Sequence, residues 1–143
     1  MVPDGSEPAA AESTPAASEP ATEAAARRVD KPWGHELIWA HTDRYAGKIL
    51  VIETGKRLSL QVHERKDESI LILSGRLRFH HGPLGGRLEA TELGPGEHCR
   101  IPVGMVHRFE AIERCELIEV STQELDDVIR IEDDFGREGT SSP

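Results

Sequence analysis

Four side chains in this sequence have the types and order of a metal-binding set: Gln61, His63, Glu68 and His107. The first two lie in the run Arg57-Leu-Ser-Leu-Gln-Val-His63, where polar and apolar residues alternate. On a strand that pattern puts Arg57, Ser59, Gln61 and His63 on one face and Leu58, Leu60 and Val62 on the other. Glu68 opens the next apolar run after a short turn, which allows it to lie beside His63. His107 opens another, just past the Pro102-Val103-Gly104 turn. Two imidazoles and a carboxylate suit one divalent ion, zinc first, with iron, manganese or nickel as the other fits, and the amide oxygen of Gln61 is a candidate fourth ligand. Arg57 is a candidate for meeting a substrate oxyanion, because a guanidinium offers several donors in one plane. Alternation alone favours a plainer account. A strand half in water would turn Arg57, Gln61 and His63 to solvent and pack Leu58, Leu60 and Val62 in the core.

The elements that must position these groups read as short strands. Apolar runs at Glu36–Ala40, Gly47–Glu53, Arg57–His63, Ser69–Leu73, Arg76–His80, Arg87–Glu92, Glu97–Ile101, Val106–Ile112 and Glu116–Thr122 are separated by turn residues such as Ser74-Gly75, Gly82-Pro83-Leu84-Gly85-Gly86 and Gly94-Pro95-Gly96. Many short strands at roughly 10-residue spacing predict an all-β sandwich or barrel. Only Glu124–Arg130 has helical character. Residues 1–29 are Ala, Pro, Glu, Ser and Thr with almost nothing large and apolar to bury, which predicts a disordered tail, its Ala-rich part near Glu23–Arg28 at most a frayed helix. One domain over 30–137 and a flexible end over 138–143 complete the expected organisation.

The chain has 143 residues and a formal net charge of −9, which argues against sequence-independent binding to nucleic acid or an anionic membrane. With no signal-like start and no long apolar run, a cytoplasmic protein is expected. Cys99 and Cys115 lack CxxC spacing and read as two reduced thiols packed as small core residues.

Order and spacing across the two segments reverse the preference for the half-wet strand. Gly55-x5-Gln61-x-His63-x4-Glu68-x6-Gly75, then Gly96-x5-Pro102-x-Gly104-x2-His107, resembles the two cupin motifs at all nine spaced positions, with Gln61 where the first histidine stands. This resemblance implies a double-stranded β-helix, the jelly-roll cupin barrel, with the four ligands inside it. Lys31-Pro-Trp-Gly34, Arg57-Leu-Ser-Leu-Gln-Val-His63, Ile101-Pro-x-Gly-x-x-His107-Arg108, Glu116-Leu-Ile-Glu-Val120 and Arg130-Ile-Glu-Asp-Asp-Phe-Gly-Arg137 resemble the type II mannose-6-phosphate isomerase cupin. The Gln-x-His pair is also similar to the zinc-binding pair of type I mannose-6-phosphate isomerases, and Lys66 stands in the position of their Lys-x-Glu lysine. That makes Lys66 a candidate in proton transfer, beside the plainer reading of a solvated turn lysine. Two departures stand out. Glu64, Arg65, Lys66 and Asp67 replace the histidine-rich lip of the family. The chain is also too short for the nucleotidyltransferase domain that often precedes this cupin, and guanylyl transfer is not expected of it.

The resemblance implies a metal-dependent aldose–ketose isomerase acting on a hexose phosphate in carbohydrate metabolism or polysaccharide biosynthesis. Two alternatives remain open: a non-catalytic cupin binding a sugar or nucleotide-sugar, and an iron-dependent dioxygenase-type cupin. Either Glu116 or Glu119, on opposite faces of the last strand, could supply a base. The apolar face of Leu58, Leu60 and Val62 needs a cover, and a homodimer is expected to provide one unless an N-terminal strand does.

Overall fold

The computed structural model describes residues 25–140. The acidic segment before residue 25, where the disordered tail was expected, and residues 141–143 lie outside the described residues. Ten strands follow in order: β1 (Arg27–Lys31), β2 (Gly34–His41), β3 (Ala46–Ile52), β4 (Leu60–Val62), β5 (Glu68–Gly82), β6 (Glu89–Leu93), β7 (His98–Ile101), β8 (Val106–Ser121), β9 (Ile129–Glu132) and β10 (Gly139–Thr140). All pairings are antiparallel, along the path β1-β2-β3-β8-β4-β9-β10, with β5 joining β6, β7 and β8. This is the expected double-sheet jelly roll.

Its frame is the pair β5–β8. Each of these strands serves two sheets, and each merges two runs that the sequence reading kept apart. The Ser74-Gly75 turn signal is in fact a kink within β5, where the register against β8 shifts between Ile72 and Leu77. Gly75 has φ +85°, and a Cβ there would meet the Arg114 carbonyl oxygen at 2.0 Å, so only glycine lets β5 cross β8 this closely. The core lies between the sheets: Ile70, Ile72, Leu77, Phe79, Ile101, Phe109, Leu117, Leu50 and Ile52 form one buried cluster. On β5 the alternation sends Glu68, Ile70 and Ile72 inward and Ser69, Leu71 and Leu73 outward.

Several expectations need correction. No helix occurs among the described residues, and the segment after Glu124 is a set of turns leading into β9. The first strand starts at Arg27, and Gly139–Thr140 pairs with β9. The run from Arg57 is a strand only over Leu60–Val62, with an isolated bridge from Arg57 to Glu110. The apolar side chains of that run do not call for a second subunit. Leu60 and Val62 pack with Val106 and Ile129, and Leu58 packs on the main core, so the chain covers this face itself. No helix of the described residues is long and apolar enough to cross a membrane.

Candidate metal centre

The two motif segments meet through their turns. Pro102–Met105 is a tight turn, with Met105 N–H donating to the Pro102 carbonyl at 3.2 Å, and the N–H of Gly104 donates to the His63 carbonyl at 3.0 Å. Gly104 has φ +87°, a left-handed conformation that glycine adopts without strain. His107 then enters β8 directly opposite Gln61 of β4, while Glu68 begins β5 opposite Ile101. One donor atom each from His63, Glu68 and His107 lies within 4.8 Å of the others, and all three side chains are buried.

Hydrogen bonds fix which ring nitrogens are free. His63 Nδ1 bonds the main-chain oxygen of Asp127, and His107 Nδ1 bonds that of Met105 at 3.0 Å. A carbonyl only accepts, so each Nδ1 carries hydrogen and each Nε2 of a neutral ring is left with a bare lone pair. Burial pushes His107 down to about 4, which keeps it neutral near pH 7. His63 Nε2 sits 3.0 Å from Glu68 Oε2, yet that oxygen is buried with no hydrogen-bond partner among the described residues. Burial would raise the Glu68 carboxyl, but Lys66 above all outweighs it and holds the group well below the usual carboxylate range. Two lone pairs and an ionised carboxylate facing one another in a buried place are stabilised by a cation between them. The donor set therefore fits a divalent ion, and His63, Glu68 and His107 could hold one.

Beside this triad stands a buried ion-pair chain. Lys66 Nζ is 3.4 Å from Glu68 Oε2 and 2.9 Å from Glu119 Oε2, and all three side chains are buried. Burial would lower the Lys66 ammonium, but Glu119 and then Glu68 outweigh it and hold it above its ordinary value. Lys66 is thus no solvated turn lysine. Its turn is pinned by Asp127, whose carboxylate accepts the main-chain N–H groups of Glu64, Arg65 and Lys66 at 3.1, 2.6 and 2.8 Å. Sequence reasoning missed Asp127 altogether, and it gave no reason to choose Glu119 over Glu116, which faces outward to Arg114.

Gln61 lines the same cavity as the triad. Its Nε2 donates to the Ser59 carbonyl at 3.3 Å and to Ser59 Oγ at 2.9 Å, an arrangement that fixes the amide and leaves Oε1 uncommitted. Arg57 is placed elsewhere. Its guanidinium makes two bonds to Asp134, at 2.6 and 2.8 Å, on the surface and away from the cavity lining. The strand begins only at Leu60, so the face Arg57 was expected to share with Gln61 and His63 does not extend to it. The cavity opens to solvent, and about 530 Å³ of empty space lies between its walls and at its mouth. Its walls also carry Trp33, Lys31, Glu36, Lys48, Arg130 and Arg137.

Comparison with known proteins places this geometry. The mannose-6-phosphate isomerase C-terminal family matches residues 19–133. The mannose-1-phosphate guanylyltransferase ManC of Salmonella typhimurium is 34% identical over 116 residues, covering 78% of this chain and 23% of its own. The xanthan biosynthesis protein XanB of Xanthomonas campestris is 31% identical over 116 residues, covering 78% and 24%. The chain thus spans about a quarter of the length of these relatives. Among solved structures, KdgF from Halomonas sp. superposes with TM-score 0.60 at 21% identity, covering 68% of this chain and 87% of that one. Bacillus subtilis oxalate decarboxylase at pH 4.6 superposes with TM-score 0.66 at 16% identity, covering 74% and 30%. These structural likenesses show the cupin fold. The chain is a cupin and belongs to the mannose-6-phosphate isomerase C-terminal family.

Proposed function

We propose that this cupin interconverts an aldose and a ketose hexose phosphate of the mannose 6-phosphate type, with His63, Glu68, His107 and Gln61 holding one divalent ion, zinc by preference. The observation that carries the reading is the Lys66–Glu119 pair, a buried acid and base 2.9 Å apart, with Lys66 also 3.4 Å from the Glu68 carboxylate. When bound, the ion supplies Lewis acidity toward the sugar's carbonyl and hydroxyl oxygens. Glu119 takes the proton from C2 of the open-chain aldose. The electron pair left behind forms the C1–C2 double bond as the carbonyl pair moves onto O1. Lys66 gives a proton to O1 and recovers one from O2, and Glu119 returns its proton to C1, which leaves the carbonyl at C2. The cavity walls limit water around the enediolate.

One observation favours a second reading, a sugar-phosphate-binding domain without turnover. Glu119 is already neutralised by Lys66, and an ion-paired carboxylate is a weaker base. A coupled assay on mannose 6-phosphate in deuterated water separates the two. The isomerase reading expects fructose 6-phosphate with deuterium at the exchanging carbon, and a loss of about 10²- to 10⁴-fold in Glu119→Gln at unchanged metal content. Binding of sugar phosphate with neither product nor exchange would leave the second reading standing.

A further inference from the structure

We infer that Arg130, Lys31 and Arg137 form an anion subsite in the cavity wall that takes a phosphomonoester dianion. That the ligand is a sugar phosphate rests on the proposed function; the subsite itself does not. Arg130 is 92% buried, yet its guanidinium has no hydrogen bond and no ion pair among the described residues, and it lines the cavity. None of its nitrogens is sealed from solvent, so the guanidinium opens toward the cavity it lines, where a ligand oxyanion would give it a charged acceptor. Lys31, half-buried on the same wall, also has no carboxylate partner among the described residues. Arg137 is held in place by Asp133 at 2.7 Å. The neighbouring cation Lys48 already engages Glu36 at 3.2 Å. Four cations therefore face two carboxylates, an excess of two positive charges, which matches a phosphate dianion. The crowding is felt at Lys31, whose ammonium is lowered first by burial and, against the opposing pull of Glu36, further by Lys48, Arg130 and Arg137.

Placement relative to the triad gives the subsite its use. His107 is the cross-strand partner of Gln61, and Gln61 is the partner of Arg130. The three residues form one row over β8, β4 and β9, and all line the cavity. Two strand spacings put Arg130 roughly 10 Å from His107 along that row. An extended six-carbon chain ending in a phosphate is roughly 8 Å long at ordinary bond lengths. The phosphate would sit at the β9 end while C1 and C2 reach Lys66 and Glu119.

The test uses the fluorescence of the chain, which has two tryptophans, Trp33 in the cavity wall and Trp39 on the surface. Inorganic phosphate, mannose 6-phosphate, mannose and a nucleoside-diphosphate sugar are titrated, with and without added zinc, into wild type, Arg130→Gln, Arg130→Lys, Lys31→Gln and Arg57→Gln. Wild type should bind inorganic phosphate without zinc and bind mannose 6-phosphate more tightly, with mannose far weaker. Arg130→Gln should lose at least tenfold in affinity for both phosphates, Arg130→Lys and Lys31→Gln should lose less, and Arg57→Gln should lose nothing. Should Arg130→Gln misfold by circular dichroism, the Arg130→Lys and Lys31→Gln losses decide. Equal affinity across all variants, no phosphate binding by wild type, or a preference for the nucleotide sugar would overturn the inference. Phosphate binding that depends on Arg130 without isomerisation would sink the proposed function alone. Isomerisation with an unchanged KM in Arg130→Gln would sink the subsite alone.

Discussion

The main-chain oxygen of Asp127 holds the Nδ1 hydrogen of His63 across 64 residues of sequence, while the Asp127 carboxylate gathers the N–H groups of the turn that presents Lys66. One residue thereby orients a metal-ligating imidazole and the lysine beside it. Asp127→Ala keeps the main-chain bond but frees three N–H groups in a turn whose Glu64 and Arg65 are exposed and whose Lys66 is buried. It is expected to cost about 2 kcal/mol or more, since these are bonds to a charged acceptor. Metal affinity should fall about 10- to 100-fold, as it does when groups that orient ligands are lost. Thermal melts and a metal titration check both, and an unchanged metal affinity would show that His63 needs no help from this turn.

Metal content measured across five variants tests the ligand set directly. His63→Ala, Glu68→Ala and His107→Ala should each lose most of the bound ion. Gln61→Ala should lose less, because a neutral amide oxygen is a weaker donor than imidazole or carboxylate. Arg65→Ala, an exposed side chain outside the set, should keep full content. Full occupancy in both histidine variants would place the ion elsewhere.

Arg57 was legible in the sequence as a strand-face residue, and the structure shows why that inference misleads. Alternation predicts a shared face only while the strand lasts, and β4 begins only at Leu60, after Arg57. Arg57 belongs instead to an exposed pair with Asp134. Arg57→Ala should therefore cost less than about 1 kcal/mol and leave kcat and KM unchanged. A large fall in kcat would return Arg57 to the reacting groups.

What the sequence disclosed depended on spacing. His63, Glu68 and His107 sit at fixed offsets from glycines and a proline that the turns require, so their convergence was readable. Lys66 could be named only through the Lys-x-Glu spacing, and its burial could not be foreseen. Glu119 and Asp127 act across sheets, 53 and 64 residues from their partners, where no local pattern reports contact. Arg130 was named only as the start of the segment ending at Arg137, and its lack of a partner among the described residues is a property of the folded wall alone.

The thiols give a prediction in pH. Burial pushes Cys115 up to about 11, with a smaller push from Glu116. A thiol raised in the fold stabilises it fully below its unfolded value near 8.5. That contribution is lost as pH climbs toward about 11, because the unfolded chain then ionises first. At pH 8 the native protein should thus react slowly with a thiol-specific disulfide reagent, and the same protein in guanidinium should react at once. Rapid labelling of the native Cys99→Ser variant at pH 8, which lacks the half-buried thiol, would show that Cys115 is reached by opening of the β5–β8 kink.

The outer face of the sheet carries the last prediction. Cross-strand register lines up Leu37, Ile49, Ile118 and Leu71 on four adjacent strands, β2, β3, β8 and β5. Trp39, Val120 and Leu73 flank this row, and each is more than 40% exposed. Trp39 lies over Gly47, whose added Cβ would meet the indole at 2.6 Å, so the ring flattens onto the sheet. The apolar row is bounded by Arg28 on β1 and His98 on β7, and like apolar surfaces of this kind match each other under a two-fold axis. We expect a homodimer through this face, in place of one through Leu58, Leu60 and Val62. Analytical ultracentrifugation should give twice the 15.8 kDa of one chain. Leu71→Lys and Val120→Lys should give monomers of unchanged fold. A wild-type monomer at high concentration, or lysine variants that remain dimeric, would show that this face meets something else.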